Sequence, residues 1–221
     1  MKVDRAERHG KRSLGFAVPR AMPVGVHNDR RLMSMKCKNC RNKLFESARY
    51  CPECGYPADE KFNVTAEDFL KDTVNKGKTE KLSPDSSQPL TILEHQGHDY
   101  LWDEENLGVW VDKSVLEAID REAAQVVFEN LAEEDQKYFN QAKEHIKLKA
   151  SGMTSPVTEN ELDEHHYKAL VIDEDFESKG IWLDQSVISF WYAATQNKEA
   201  PALTQVEELL HILVHLKFLE D

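Results

Sequence analysis

The 221-residue chain has no run of about 18 apolar residues, the length a membrane-spanning helix needs, so no transmembrane segment is expected. Its first 34 residues have no apolar h-region of the kind a secretory signal carries, and they mix Arg and Lys with Asp4 and Glu7. They read as a disordered basic extension, or as a stretch upstream of a natural start at Met35. Missing too are a Gly-rich phosphate loop, a nucleophile elbow and any paired catalytic signature, so catalysis has no positive support. Cysteine is scarce: the chain has four. With no secretion signal, these absences favour a cytoplasmic protein whose cysteines bind metal over a disulfide-stapled secreted scaffold.

The four cysteines form two matched pairs, Cys37-Lys38-Asn39-Cys40 and Cys51-Pro52-Glu53-Cys54. Two residues between paired thiolates let one tight turn present both sulfurs to one metal, and two such turns complete a tetrahedral shell. The expected cofactor is therefore one structural Zn2+, with disulfides, a redox pair or iron in a rubredoxin-like shell as the competing readings. Pro52 fixes a backbone torsion, and Gly55 supplies the positive φ that follows the last sulfur. In the first turn Arg41-Asn42 stands at the equivalent place, and Asn is the non-glycine residue that best tolerates that conformation. Ten residues, 41–50, separate the pairs, enough for a hairpin in which Leu44, Phe45 and Tyr50 cover the metal.

This segment, about 35–57, resembles the short four-cysteine zinc ribbons that open many bacterial and archaeal proteins. Met35-Lys36-Cys37 through Cys40, then Cys51 through Gly55, carry the resemblance. It implies a metal site, while its function could be nucleic-acid binding, protein binding or capping of a neighbouring domain.

Charge divides the chain. Of 28 Lys+Arg and 40 Asp+Glu, residues 1–56 hold 13 and 5, or +8, leaving 15 and 35, or −20, for residues 57–221. An acidic body repels phosphate, so only the head is a plausible nucleic-acid contact, through Lys36, Lys38, Arg41, Lys43 and Arg49. The bland alternative is that these cations balance four thiolates around Zn2+, a cluster of about −2.

After the ribbon, Thr65 to Asp68 reads as a capping box for a short helix through Phe69, Leu70 and Val74, with Gly77 as its stop. Residues 78–89, with two prolines and three serines, read as the end of a helix-and-linker segment, 58–89. The remainder, 90–221, is expected as an acidic α+β body with an internal repeat. Gly108-Val109-Trp110-Val111-Asp112-Lys113-Ser114-Val115-Leu116 recurs 72 residues on as Gly180-Ile181-Trp182-Leu183-Asp184-Gln185-Ser186-Val187-Ile188, with five of nine residues identical. Each copy, about 98–131 and 167–197, reads as strand, acidic turn, strand and helix.

The repeat resembles the Trp-Leu-Asp signature that closes transcription-factor-IIB-type zinc ribbons, over about 90–120 and 165–190. In that family a Cys-x-x-Cys pair precedes the tryptophan; here those positions are Asp103 and Asn106 in one copy and Asp175 and Ser178 in the other. The resemblance implies ribbon-like hairpins that have lost their metal.

Helices are also expected from Ser114 to Leu131, from Glu133 to Lys149 ended by Ser151-Gly152, from Gln185 to Thr195, and from Thr204 onward. His211 and His215 lie four apart on the last of these, without the glutamate a metalloprotease motif requires. His95 with His98, and His165 with His166, Asp163 and Glu164, are further polar clusters, and adjacent strand histidines point to opposite faces. The leading expectation is a non-catalytic zinc-binding protein that engages a protein partner as an interaction or adaptor module. A nucleic-acid-associated or transcription-related factor is the alternative, and an enzyme with its site in the acidic body is a third reading.

Overall fold

The computed structural model describes residues 35–142 and 148–218. The expected disordered extension, 1–34, lies outside the described residues, as does 143–147 of the expected helix 133–149. The fold is α+β, with a large curled antiparallel sheet, helices against one of its faces, and a small cysteine-bearing region at its amino-terminal side. Among the described residues no helix is long and apolar enough to cross a membrane.

The cysteine region pairs two short strands, β1 (Met35–Lys36) and β2 (Lys43–Leu44). The capping box forms: the Asp68 carboxylate accepts from the Thr65 N–H at 2.7 Å and opens α1 (Ala66–Leu70). That helix ends at Leu70, before Gly77. Gly77 instead sits at φ +97° in β3 (Val74–Leu82), at a shift of register against β4 (Pro89–His95).

The stretch 78–89 is therefore not a linker but a strand end and a hairpin turn. Its serines and prolines do turn chemistry: the Ser83 hydroxyl oxygen accepts from the N–H groups of Asp85 and Ser86, each at 3.1 Å. Composition alone does not distinguish such a turn from a linker.

The meander continues through β5 (His98–Trp102) and β6 (Val109–Val111) into α2 (Lys113–Glu117). Here the expected single helix to Leu131 is two, because the chain turns at Ala118 and Asp120 caps α3 (Arg121–Glu129), accepting from the Glu122 N–H at 2.8 Å. Then α4 (Glu133–Ala142) leads toward β7 (Leu148–Thr154), so Ser151 and Gly152 lie in a strand and do not end a helix. The second meander is β7, β8 (Glu161–Tyr167), β9 (Leu170–Asp175) and β10 (Gly180–Leu183), followed by α5 (Gln185–Thr195) and α6 (Ala202–His215).

Sheet order β3-β4-β5-β6-β10-β9-β8-β7 reads as a palindrome. The two copies meet at β6 and β10, where Trp110 pairs with Trp182. Each tryptophan lies over the other copy's glycine: a Cβ on Gly108 would stand 2.2 Å from the Trp182 ring, and one on Gly180 2.2 Å from Trp110. One sheet face buries these tryptophans with Leu90, Leu101 and Leu162, and the other meets α5 and α6 in the main core. The repeat is thus longer than the nonapeptide: it spans four strands and a helix.

Candidate metal centre

Both cysteine turns are built alike. In the first, the Cys37 N–H donates to the Asn42 carbonyl at 2.8 Å and the Arg41 N–H to the Cys37 carbonyl at 3.1 Å; in the second, Cys51 donates to Tyr56 and Gly55 to Cys51, both at 2.9 Å. The residue after the last sulfur takes the left-handed conformation in each, Arg41 at φ +65° and Gly55 at +70°. Arg41, not Asn42, therefore bears the strain in the first turn.

The turns bring one sulfur from each cysteine within 4.8 Å of the others, close enough to hold one metal ion. The Cys37–Cys54 and Cys40–Cys51 sulfurs are 3.6 Å apart, far beyond a disulfide and close to the ~3.8 Å edge of a thiolate tetrahedron around a metal at ~2.3 Å. Cys37 and Cys51 are buried and Cys40 is exposed. The Asn42 backbone N–H brings the Cys40 thiol down to about 7, whereas burial pushes Cys54 up to about 12. Four sulfurs this close form a site that could hold a metal dication, whose charge would compensate their thiolate forms.

The cover differs from expectation. Leu44 is buried on the cluster, but Phe45 is 76% exposed, and Tyr50 turns away into the body. There Tyr50 packs edge-on against Phe190 at 4.5 Å and donates to Asp135 at 3.1 Å.

Arg49 makes the same turn inward. Its Nη2 meets both oxygens of the buried Asp135 carboxylate at 2.8 and 2.6 Å, and its Nη1 donates to the Ala194 carbonyl. Gly55 closes the seam, since a Cβ there would lie 3.0 Å from the Ala169 carbonyl oxygen. The ribbon is seated on the body rather than tethered to it. Of the expected phosphate contacts, Arg49 is committed to this seam and Lys38 to Glu60 at 2.5 Å, while Lys36, Arg41 and Lys43 are exposed.

The cysteine turn recurs in the body without cysteine. Ser83, Asp103, Ser155 and Asp175 each begin a turn in which the fifth residue donates to the first residue's carbonyl, at 3.1, 2.9, 3.2 and 2.7 Å. That fifth residue is left-handed every time: Ser87 at +59°, Leu107 at +57°, Glu159 at +64° and Lys179 at +59°. A hydroxyl-to-carboxylate bond of 2.7 Å then joins Ser83 to Asp103, and another of 2.7 Å joins Ser155 to Asp175. Asp175 also accepts from Thr158 at 2.6 Å and Ser178 at 2.7 Å. Sequence reasoning missed these clasps, although the Ser-Pro pairs at 83 and 155 share the 72-residue offset of the tryptophans.

The histidine clusters stay apart from the cysteines. His215 stacks on Phe128 at 4.7 Å, while His211 faces a separate cavity. His95 is buried between the Asp72 carbonyl and Thr204, at 3.1 and 3.0 Å, and its neighbour His98 lines the same cavity as His211. His165 faces Glu174 at 3.1 Å, and His166 faces Glu164. Among the described residues, the four cysteines are the one group of at least three such side chains close enough to share an ion. No protein-family model, curated protein or solved structure matches this chain.

Proposed function

We propose that the chain is a non-catalytic adaptor in which one structural Zn2+ fixes the ribbon against the acidic body, so that the ribbon's outer surface can engage a protein partner in the cytoplasm. The convergence of four cysteine sulfurs within 4.8 Å carries this reading. Four thiolates fill a tetrahedral shell and leave no position for substrate, which is the arrangement of structural rather than catalytic zinc. The likeness to short zinc ribbons points the same way. On this reading the body's two hairpin pairs are ribbons that gave up metal, with Ser83, Ser86, Asp103 and Asn106, and Ser155, Thr158, Asp175 and Ser178, standing in the cysteine positions.

Phe45 is more exposed than the ribbon's other bare large apolar side chain, Met35, and is flanked by exposed Arg41 and Lys43. Residues 35–57 hold five Lys+Arg and two Asp+Glu, or +3, and a zinc tetrathiolate of about −2 reduces this to about +1. That is little charge for holding phosphate, and Arg49 is already committed, so a protein partner with an apolar pocket is favoured over nucleic acid.

Metal analysis of the purified chain tests the zinc: one zinc and no iron per chain are expected, with loss in Cys51→Ser. Retained metal in that variant would remove the ligand assignment. For the adaptor role, Phe45→Ala should keep its zinc yet lose partners cross-linked to the wild type in cells. Unchanged cross-linking would refute the proposed surface, and salt-sensitive binding of nucleic acid by the full chain would replace it with the alternative.

A further inference from the structure

The two repeats differ where α2 and α5 meet the sheet. In the second repeat Leu170, Ile172, Phe190 and Trp191 stand at this junction and are buried. Seventy-two residues earlier the same positions hold His98, Tyr100, Ala118 and Ile119. The smaller pair, Ala118 and Ile119 just past the end of α2, leaves room, and a cavity of about 160 Å³ opens between β5, α2 with the turn after it, and α6. A space of this size takes about six non-hydrogen atoms.

Its lining combines two chemistries. Val115, Ile119 and Leu210 are apolar, and Glu207, His211, His98 and Tyr100 offer polar groups. Glu207 is held in place: one carboxylate oxygen accepts from the Tyr100 hydroxyl at 2.8 Å, and the other faces His95 Nε2 at 3.9 Å. His211 Nδ1 is buried and makes no hydrogen bond. Burial lowers the pKa of that ring, against a weaker pull from Asp120, so at neutral pH it offers a neutral donor or acceptor.

The cavity also lies on the face that, in the other repeat, carries the ribbon. On the second repeat, the ribbon's Gly55 seats against Ala169 and Phe190. Their counterparts in the first repeat are Gly97, where an added Cβ would meet nothing within 4 Å, and Ala118, which is exposed. The face that receives a module in one repeat is open in the other.

We propose that this cavity binds a primary ammonium group on a short aliphatic stem, with the ammonium at Glu207 and His211 and the stem on Val115, Ile119 and Leu210. The charge of −20 over residues 57–221 favours approach of a cation and disfavours an anion. The same chemistry can arrive as a free alkylamine or as a lysine side chain. This site does not depend on the zinc or on the ribbon surface.

The test uses the full zinc-loaded chain with labelled methyl groups, titrated with n-butylammonium, Nα-acetyl-lysine N-methylamide and n-butyrate. Saturable shifts at Val115, Ile119 and Leu210 are expected with the first, the second or both, which identifies the source, and not with butyrate. Glu207→Gln can keep the Tyr100 hydrogen bond and should weaken ammonium binding about tenfold. Ala118→Phe with Ile119→Trp restores the side chains of the second repeat and should abolish the shifts while the remaining spectrum is preserved. No saturable shift with either amine, equal binding of butyrate, or unchanged affinity in Glu207→Gln would each overturn the assignment.

Discussion

The cysteine ribbon and the body's hairpin pairs build the same turn and close it with different chemistry. In the ribbon, two turns converge through sulfur, with the four cysteines close enough to share one metal ion. In the body, each pair converges through a serine hydroxyl donating to a buried aspartate, and a large sheet supplies the remaining cohesion. A module of about 20 residues cannot bury enough apolar surface to hold itself, whereas strands inside an eight-stranded sheet can. Size and context therefore separate turns that offer a metal four sulfurs from turns that close by hydrogen bonds.

The sharpest way to test that comparison is to convert one clasp into the other. Ser83→Cys, Ser86→Cys, Asp103→Cys and Asn106→Cys together should raise the zinc content from one ion to two by native mass spectrometry. A folded variant that still bound one would show that the shared backbone turns do not place four sulfurs correctly.

Next in size is the seam. Arg49→Ala leaves the buried Asp135 without its cation and should cost about 3–5 kcal/mol in denaturant unfolding. Lys38→Ala removes an ion pair that stands in solvent, so its unfolding midpoint should match the wild type. Equal effects would mean that the ribbon does not rest on the body as described.

Within the body, Asp175 gathers three hydroxyl donors and Asp103 one. Asp175→Ala should therefore destabilise by about 2–4 kcal/mol and Asp103→Ala by about 1–2. A reversed order would break the hydrogen-bond account of the clasps.

The smallest effect is in acid. Burial pushes the Asp175 carboxyl up, but Thr158, Ser155, Ser178 and the Glu177 amide together outweigh it and hold the pKa below its ordinary 3.8. A depressed folded pKa contributes stability above the unfolded value and loses it as pH falls through the folded one. Unfolding curves should steepen their decline below about pH 4, and Asp175→Asn should flatten that part of the profile.

Legibility in the sequence followed distance along the chain. Both cysteine turns and the α1 capping box close within a few residues, so residue type and spacing were enough to read them. The 72-residue recurrence was visible through Gly-x-Trp-x-Asp because a tryptophan and the glycine beneath it leave little freedom for substitution. The first hairpin of each repeat was less visible. Its serine and proline content belongs equally to linkers, and the bond that distinguishes Ser83, to Asp103, spans 20 residues. Tyr50 and Arg49 were misread for the same reason, since Asp135 lies 85 and 86 residues away from them.

The sequence by itself determined the four sulfurs, the α+β composition and the doubling of the body, because these depend on local spacing and on periodicity. Tertiary structure alone decided that the ribbon sits on the second repeat, that serine and aspartate clasp the body where cysteine clasps the ribbon, and that one repeat is filled where the other is hollow. These outcomes depend on which distant side chains meet and on the volume they leave, and neither is encoded in any single stretch of chain.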